Sequence, residues 1–142
     1  MSSSFTYIYE TDAPVGAAAI WELYEDVSSW PQWDAGSELV TRDGAFAAGS
    51  TGTMKLVGHD TPLAYRLTKV EPLREFVDET PLGPITVRVG HRLTELEPER
   101  VRISYRVEVD GPPEMSAEVG GGVCCDIPDT VASLIRAAVT RR

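Results

Sequence analysis

Two segments in the second half of the chain alternate so regularly that they leave little choice of fold. Val87, Val89, His91 and Leu93 alternate with Arg88, Gly90, Arg92 and Thr94, and Val101, Ile103, Tyr105, Val107 and Val109 alternate with Arg102, Ser104, Arg106 and Glu108. Successive side chains of a strand point to opposite faces. This period of two therefore predicts strands over residues 85–96 and 100–110, each with one charged, wet face and one apolar face. Glu97-Pro98-Glu99 supplies the turn between them. The apolar face needs a cover, and the late segment offers one. Ile127, Val131, Leu134, Ile135 and Ala138 recur at helical spacing, with Asp126 as a capping residue and Pro128 in the first turn. An α+β arrangement follows, with a helix lying across an antiparallel sheet.

Earlier segments extend that sheet. Phe5, Tyr7 and Tyr9 share one face of a first strand over residues 5–11, predicted to point inward. Asp12-Ala13-Pro14 predicts a helix over residues 14–25, because proline at the first helical position lacks an N–H that would go unmet and Asp12 lies near the positive end of the dipole. Its apolar stripe is Ile20, Leu23, Tyr24 and Val27. Pro31 disfavours the α region at Trp30, so a short second helix or turn is expected there. Gly44, Gly49, Gly52 and Gly58 punctuate strands over residues 37–43, 51–57 and 63–71, and residues 75–80 add another. After Pro112-Pro113, the run Gly120-Gly121-Gly122 predicts a kinked or interrupted helix, at a cost of roughly 1 kcal/mol per interior glycine. With no repeat or linker, residues 1–142 read as a single domain around one core.

Composition removes several functions. Twenty-two acidic against thirteen basic residues give a net charge of −9, which repels nucleic-acid phosphates and anionic headgroups, so no nucleic-acid partner is expected. No apolar run approaches the roughly 20 residues that span a bilayer, so membrane insertion is not expected. The amino terminus lacks a basic stretch followed by an apolar one, and a cytoplasmic location is the expectation. Cys124 and Cys125 are adjacent and would close only a strained ring, so they read as two buried free thiols. His59 lies in a turn sequence, Gly58-His59-Asp60-Thr61-Pro62, unconnected with His91. Neither a metal site nor a cofactor is expected, since metal-ligand spacing, a phosphate-binding loop and a nucleophile elbow are all missing from the sequence.

Several motifs carry a resemblance across nearly the whole chain. They are Ala13-Pro14, Trp21, the run Asp26-Val27-Ser28-Ser29-Trp30-Pro31-Gln32-Trp33-Asp34, Gly49-Ser50-Thr51-Gly52-Thr53, Pro72-Leu73-Arg74-Glu75-Phe76, His91 and Gly111-Pro112. In these the sequence resembles the polyketide cyclase/dehydrase-like members of the START-related (SRPBCC) superfamily. The resemblance implies the helix-grip (START/Bet v 1-like) fold, a curved antiparallel sheet of about seven strands around a long C-terminal helix, with two short helices after the first strand. It implies function less narrowly, because that superfamily contains cyclases, aromatases, lipid and hormone carriers, and chaperone cofactors on one scaffold. The glycine run departs from the more continuous helix usual there.

A helix that does not fill the concavity of such a sheet leaves a pocket for a small, largely apolar molecule. Parity points His91 into it, as a proton-transfer residue, a ligand contact or a satisfied core histidine. Tyr65 and Tyr105 bring hydroxyls or simply pack, and Met54, Leu56, Leu67, Phe76, Val89 and Val107 form apolar walls. Trp33, beside Trp30, either stacks on an aromatic ligand or caps the core; the resemblance places this loop at the cavity mouth. Asp78 faces the pocket with a raised pKa if parity holds, or lies solvated or arginine-paired at a strand end. Three functions are therefore open. One is carriage of a small hydrophobic or aromatic, polyketide- or lipid-like molecule. The others are a cyclase/aromatase reaction using His91, and a protein-interaction module similar to Hsp90 activators. Open sheet edges also make a homodimer conceivable.

Overall fold

Alternating strands are satisfied when each finds neighbours, and in the computed structural model, which describes residues 4–141, they join one seven-stranded antiparallel sheet. The reading of the extreme amino terminus falls partly outside those residues. In chain order the elements are β1 (Phe5–Ala13), α1 (Ala17–Glu25), a single 3-10 turn (Val27–Ser29), α2 (Trp30–Trp33), β2 (Ser37–Val40), β3 (Thr51–Leu56), β4 (Leu63–Glu71), β5 (Glu75–Leu82), β6 (Ile85–Glu97), β7 (Arg100–Asp110), α3 (Pro113–Cys124) and α4 (Ile127–Thr140). The sheet order β1-β7-β6-β5-β4-β3-β2 leaves β1 and β2 as its edges. The sheet curls, and the helices occupy its concave side, which is the helix-grip fold.

Register sets what that concave side contains. Phe76, His91, Tyr105 and Tyr9 lie opposite one another across β5, β6, β7 and β1, forming one row. Leu67, Asp78, Val89, Val107 and Tyr7 form the next row, and Thr80, Val87, Val109 and Phe5 a third. A slip of one residue would turn all of these outward, so burial of this face fixes the register. The opposite face is laced with charge, for example Arg88 with Glu79 and Asp110. No helix among the described residues is long and apolar enough to cross a membrane.

Three local expectations are corrected. Asp12 does not start a helix. It stays in β1 opposite Arg102, where its carboxylate accepts hydrogen bonds from Arg100 and Arg102 at 2.9 Å each and is held below the usual carboxylate range. The first helix therefore begins only at Ala17, behind Gly16. β2 ends at Val40, short of residue 43, with only an isolated bridge from Asp43 to Thr51 beyond it. Of the two thiols, Cys124 is buried but Cys125 is exposed, because the chain breaks between α3 and α4 at residues 125 and 126 and turns Cys125 out.

The break also corrects the reading of the glycines, since α3 runs unbroken through Gly120, Gly121 and Gly122. Gly120 is needed for approach. A Cβ there would lie 2.3 Å from the Phe5 ring, so only glycine lets α3 settle on β1. Gly121 and Gly122 face open space. Replacing Gly121 or Gly122 with alanine is therefore expected to stabilise the fold by about 0.5–1 kcal/mol each. Gly120→Ala is expected to destabilise it by about 1–3 kcal/mol. Thermal unfolding of the three variants checks both signs.

Candidate functional site

The middle of the concave face is built from aromatic rings around two ionisable groups. β5 and β6 place Phe76 directly opposite His91, and the two rings stack at 3.9 Å between centroids with 6° between planes. Tyr105, opposite His91 on β7, meets the imidazole edge-on at 4.7 Å. From above, α1 contributes Tyr24, 5.6 Å from His91 and 5.0 Å from Phe76. Trp30 of α2 lies 5.9 Å from Phe76 and 6.3 Å from Tyr65. These rings, not open space, surround the imidazole.

His91 is neutral. Its Nδ1 lies 3.3 Å from the Phe76 carbonyl oxygen, which only accepts, so the ring proton is on Nδ1 and Nε2 carries the lone pair. Burial pulls its pKa down to about 3. Nε2 faces Asp78 Oδ2 at 3.8 Å, too far for a hydrogen bond. Asp78 is not at a solvated strand end and has no arginine partner. It lies within β5 on the concave face, and burial pushes its carboxyl up to about 7. Since both groups shift towards their neutral forms, this is an imidazole beside a carboxyl, not an ion pair.

Two phenols complete the set. The hydroxyls of Tyr24 and Tyr105 are close enough to shift each other's ionisation, and burial drives both pKa values well up. The two hydroxyls meet each other and no further hydrogen-bond partner, although both are fully enclosed. Tyr65 behaves differently. Its ring passes over Gly52, where a Cβ would lie 2.6 Å from its hydroxyl, and that hydroxyl donates to the Thr41 carbonyl at 2.6 Å. Burial pushes the Tyr65 phenol up to about 12, but its hydrogen bond is already made.

Open clefts lie elsewhere, among them one of about 260 Å³ between residues 25–28 and Val40, Thr41 and Arg42. A half-open cleft of about 350 Å³ lies where α4 passes the end of α2 and the β2–β3 edge, lined by Trp33, Gly36, Val57, Asp126, Asp129 and Ser133 among others. Trp33 is its buried floor. Behind that indole stands Tyr24, 6.1 Å away, and the indole N–H reaches only the Ser29 hydroxyl, at 3.4 Å. Asp34, next to Trp33, accepts from the Gly36 N–H and the Ser37 hydroxyl. Burial nevertheless raises its pKa, and Asp126 raises it further.

The fold thus brings Phe76, Asp78, His91 and Tyr105 together, with Leu67 and Val107 fully buried in the next row and Met54 and Val89 packed against the core. Leu56 sits at the far end of β3, opposite Ser37, half-exposed at the rim. Sequence reading missed Tyr24 as a site residue. Its one signal is a phenol set in the otherwise aliphatic stripe of α1. His59 is exposed in its turn, and no cluster of three metal-ligating side chains exists among the described residues.

Comparison with solved structures shows the same architecture. The Zhui aromatase/cyclase of a Streptomyces species superposes with a TM-score of 0.77 at 14% identity, over 96% of this chain and 94% of that one. Norcoclaurine synthase from Thalictrum flavum, in complex with dopamine and hydroxybenzaldehyde, gives 0.74 at 12% identity, over 97% and 88%. A hypothetical protein from Helicobacter pylori gives 0.79 at 12%, over 96% and 89%. At such identities the likeness defines the fold: this is a helix-grip protein. No family model and no curated protein matches the sequence.

The Asp78 environment has a measurable consequence for stability. The folded state holds its proton up to about pH 7, whereas an unfolded carboxyl releases it near 3.8. The native state therefore loses stability as pH rises from about 4 to about 7. His91 acts in the opposite window, below about 6.5, and cancels when variant and wild type are compared. Asp78→Asn is expected to gain stability over wild type with rising pH, from near zero at pH 4 to a few kcal/mol, at most about 4, above pH 7. Urea unfolding at pH 4, 6 and 8 measures this difference.

Proposed function

We propose that the domain binds a small aromatic molecule on its concave face, with the ligand's polar group taken by the Tyr24 and Tyr105 hydroxyls beside Asp78 and His91. The observation that carries this reading is the pair of fully buried phenols whose hydroxyls have no partner beyond each other, so that at least one O–H and several lone pairs go unmet. Each such group costs about 1–3 kcal/mol when left unsatisfied, and buried polar atoms are nearly always paired. Functional sites are where a fold departs from that rule, because the ligand completes the bonds.

Three features support it. The walls are aromatic and suit a flat guest. The cleft at Trp33 offers an approach, and a guest that displaces this indole, held by one long hydrogen bond and by packing on Tyr24 and Trp30, replaces its buried ring with another. Proteins of the same architecture include one seen with dopamine and hydroxybenzaldehyde, and aromatase/cyclases.

A second reading is favoured by one observation, the carboxyl of Asp78 at about 7 facing the lone pair of a neutral imidazole. Such a carboxyl exchanges a proton near neutral pH, as general acid–base catalysis of a cyclase type requires. In that reading Asp78 carries the proton. His91, held neutral to about pH 3, stands beside it with its lone pair free to take a proton bridged by the substrate.

Calorimetric titration with naphthol tests the binding reading. Tyr24→Phe and Tyr105→Phe should each fold with thermal stability lowered by no more than the one contact between the two hydroxyls, about 1 kcal/mol, and should each weaken naphthol binding about tenfold. Wild-type protein that takes up no naphthol, or phenylalanine variants that bind it as wild type does, would overturn the proposal.

A further inference from the structure

We propose that the aromatic ligand is a protonated amine, for which the Asp78 carboxylate is the counter-ion and the surrounding rings the cage. This rests on the binding reading above and names the class of molecule that the same site selects.

The charge inventory of the interior motivates it. Among the described residues the buried polar side chains are Ser29, Ser37, Asp78, Thr80, His91 and Ser116, which include one carboxyl and no lysine or arginine. The nearest basic group, His91, has its proton committed to the Phe76 carbonyl and turns a lone pair towards Asp78. The protein therefore supplies no cation to this carboxyl. An ionised carboxylate buried without one is strongly unfavourable. The push of Asp78 up to about 7 follows from burial alone, with no basic group pulling it back. An ammonium group beside it would supply the missing charge and draw that proton off.

The rings suit the same guest. Trp30 stacks over Tyr65 at 6.3 Å and tilts against Phe76 at 5.9 Å, while Tyr24 meets Phe76 edge-on at 5.0 Å. Asp78 Oδ2 lies 3.8 Å from His91 Nε2, and Phe76, Tyr105 and Tyr24 surround that imidazole at 3.9, 4.7 and 5.6 Å, which places the carboxyl beside these rings. Aromatic faces attract a cation most when water is excluded, so several rings plus one carboxylate form a receptor for an amine and not for an acid. The approach selects in the same direction. The cleft at Trp33 is lined by Asp126 and Asp129 with no lysine or arginine, and the chain carries a net charge of −9. Such a field draws cations in and turns anions away.

Tyramine, tyrosol and para-hydroxyphenylacetate share one ring and chain length and differ only in an ammonium, hydroxyl or carboxylate end. In calorimetric titrations of the full chain at pH 8, tyramine should bind at least about tenfold more tightly than tyrosol, and the acid should not bind detectably. Asp78→Asn should abolish the amine preference, bringing the ratio of tyramine to tyrosol affinity to about one. Equal binding of amine and alcohol by wild-type protein overturns the amine assignment and leaves the binding reading standing, with no dependence on whether the variant folds. An amine preference that survives Asp78→Asn also overturns it. Failure of all three compounds to bind overturns the amine assignment, and the naphthol titration then decides the binding reading by itself.

Discussion

His91 is held on two sides by the same neighbour, and the character of the interior follows from that. The Phe76 ring lies flat against the imidazole while the Phe76 carbonyl takes its Nδ1 proton. Stacking excludes water, the carbonyl fixes the tautomer, and burial keeps the ring uncharged across physiological pH. A charged imidazole would have paired with Asp78 and closed the site upon itself. A neutral one leaves the carboxyl without a counter-ion, and the two phenols beside it meet only each other, so the polar demand of the core is not fully met from within.

The sheet makes this placement unavoidable. His91 shares its face with Val87, Val89 and Leu93, and its cross-strand neighbours are fixed by register to Phe76 and Tyr105. This much was legible in the sequence, because a period of two is independent of tertiary detail: β7 falls on the residues that alternation marks, and β4 on those set off by the glycines before it. Asp78 was legible by the same parity. Its company was not, since strand parity says which face a residue takes and nothing about which cation, if any, the helices bring.

Elements whose form depends on contacts distant in sequence were less readable. The first helix starts late because Asp12 finds Arg100 and Arg102, almost ninety positions away, more favourable than a helix terminus. The glycine run stays helical because Gly120 lets α3 approach Phe5, a gain that propensity scales do not contain. Tyr24 reads as one more member of an apolar stripe until the fold sets its hydroxyl against that of Tyr105. The open volume differs from expectation for a similar reason. The helices α1 and α2 bring Tyr24, Trp30 and Trp33 down into the concavity, and the cleft is displaced to the outer side of Trp33. The concavity is thereby filled with rings, and this cleft lies on the outer side of Trp33.

The central claim is that the two buried phenols exist to meet a guest and not protein. A crystal structure of the protein grown with naphthol tests it most directly. The account requires the naphthol ring on the concave face with Trp33 displaced, and its oxygen within about 3 Å of the Tyr24 and Tyr105 hydroxyls. Naphthol confined to the outer cleft, with Trp33 in place and the phenols still meeting only each other, would contradict it.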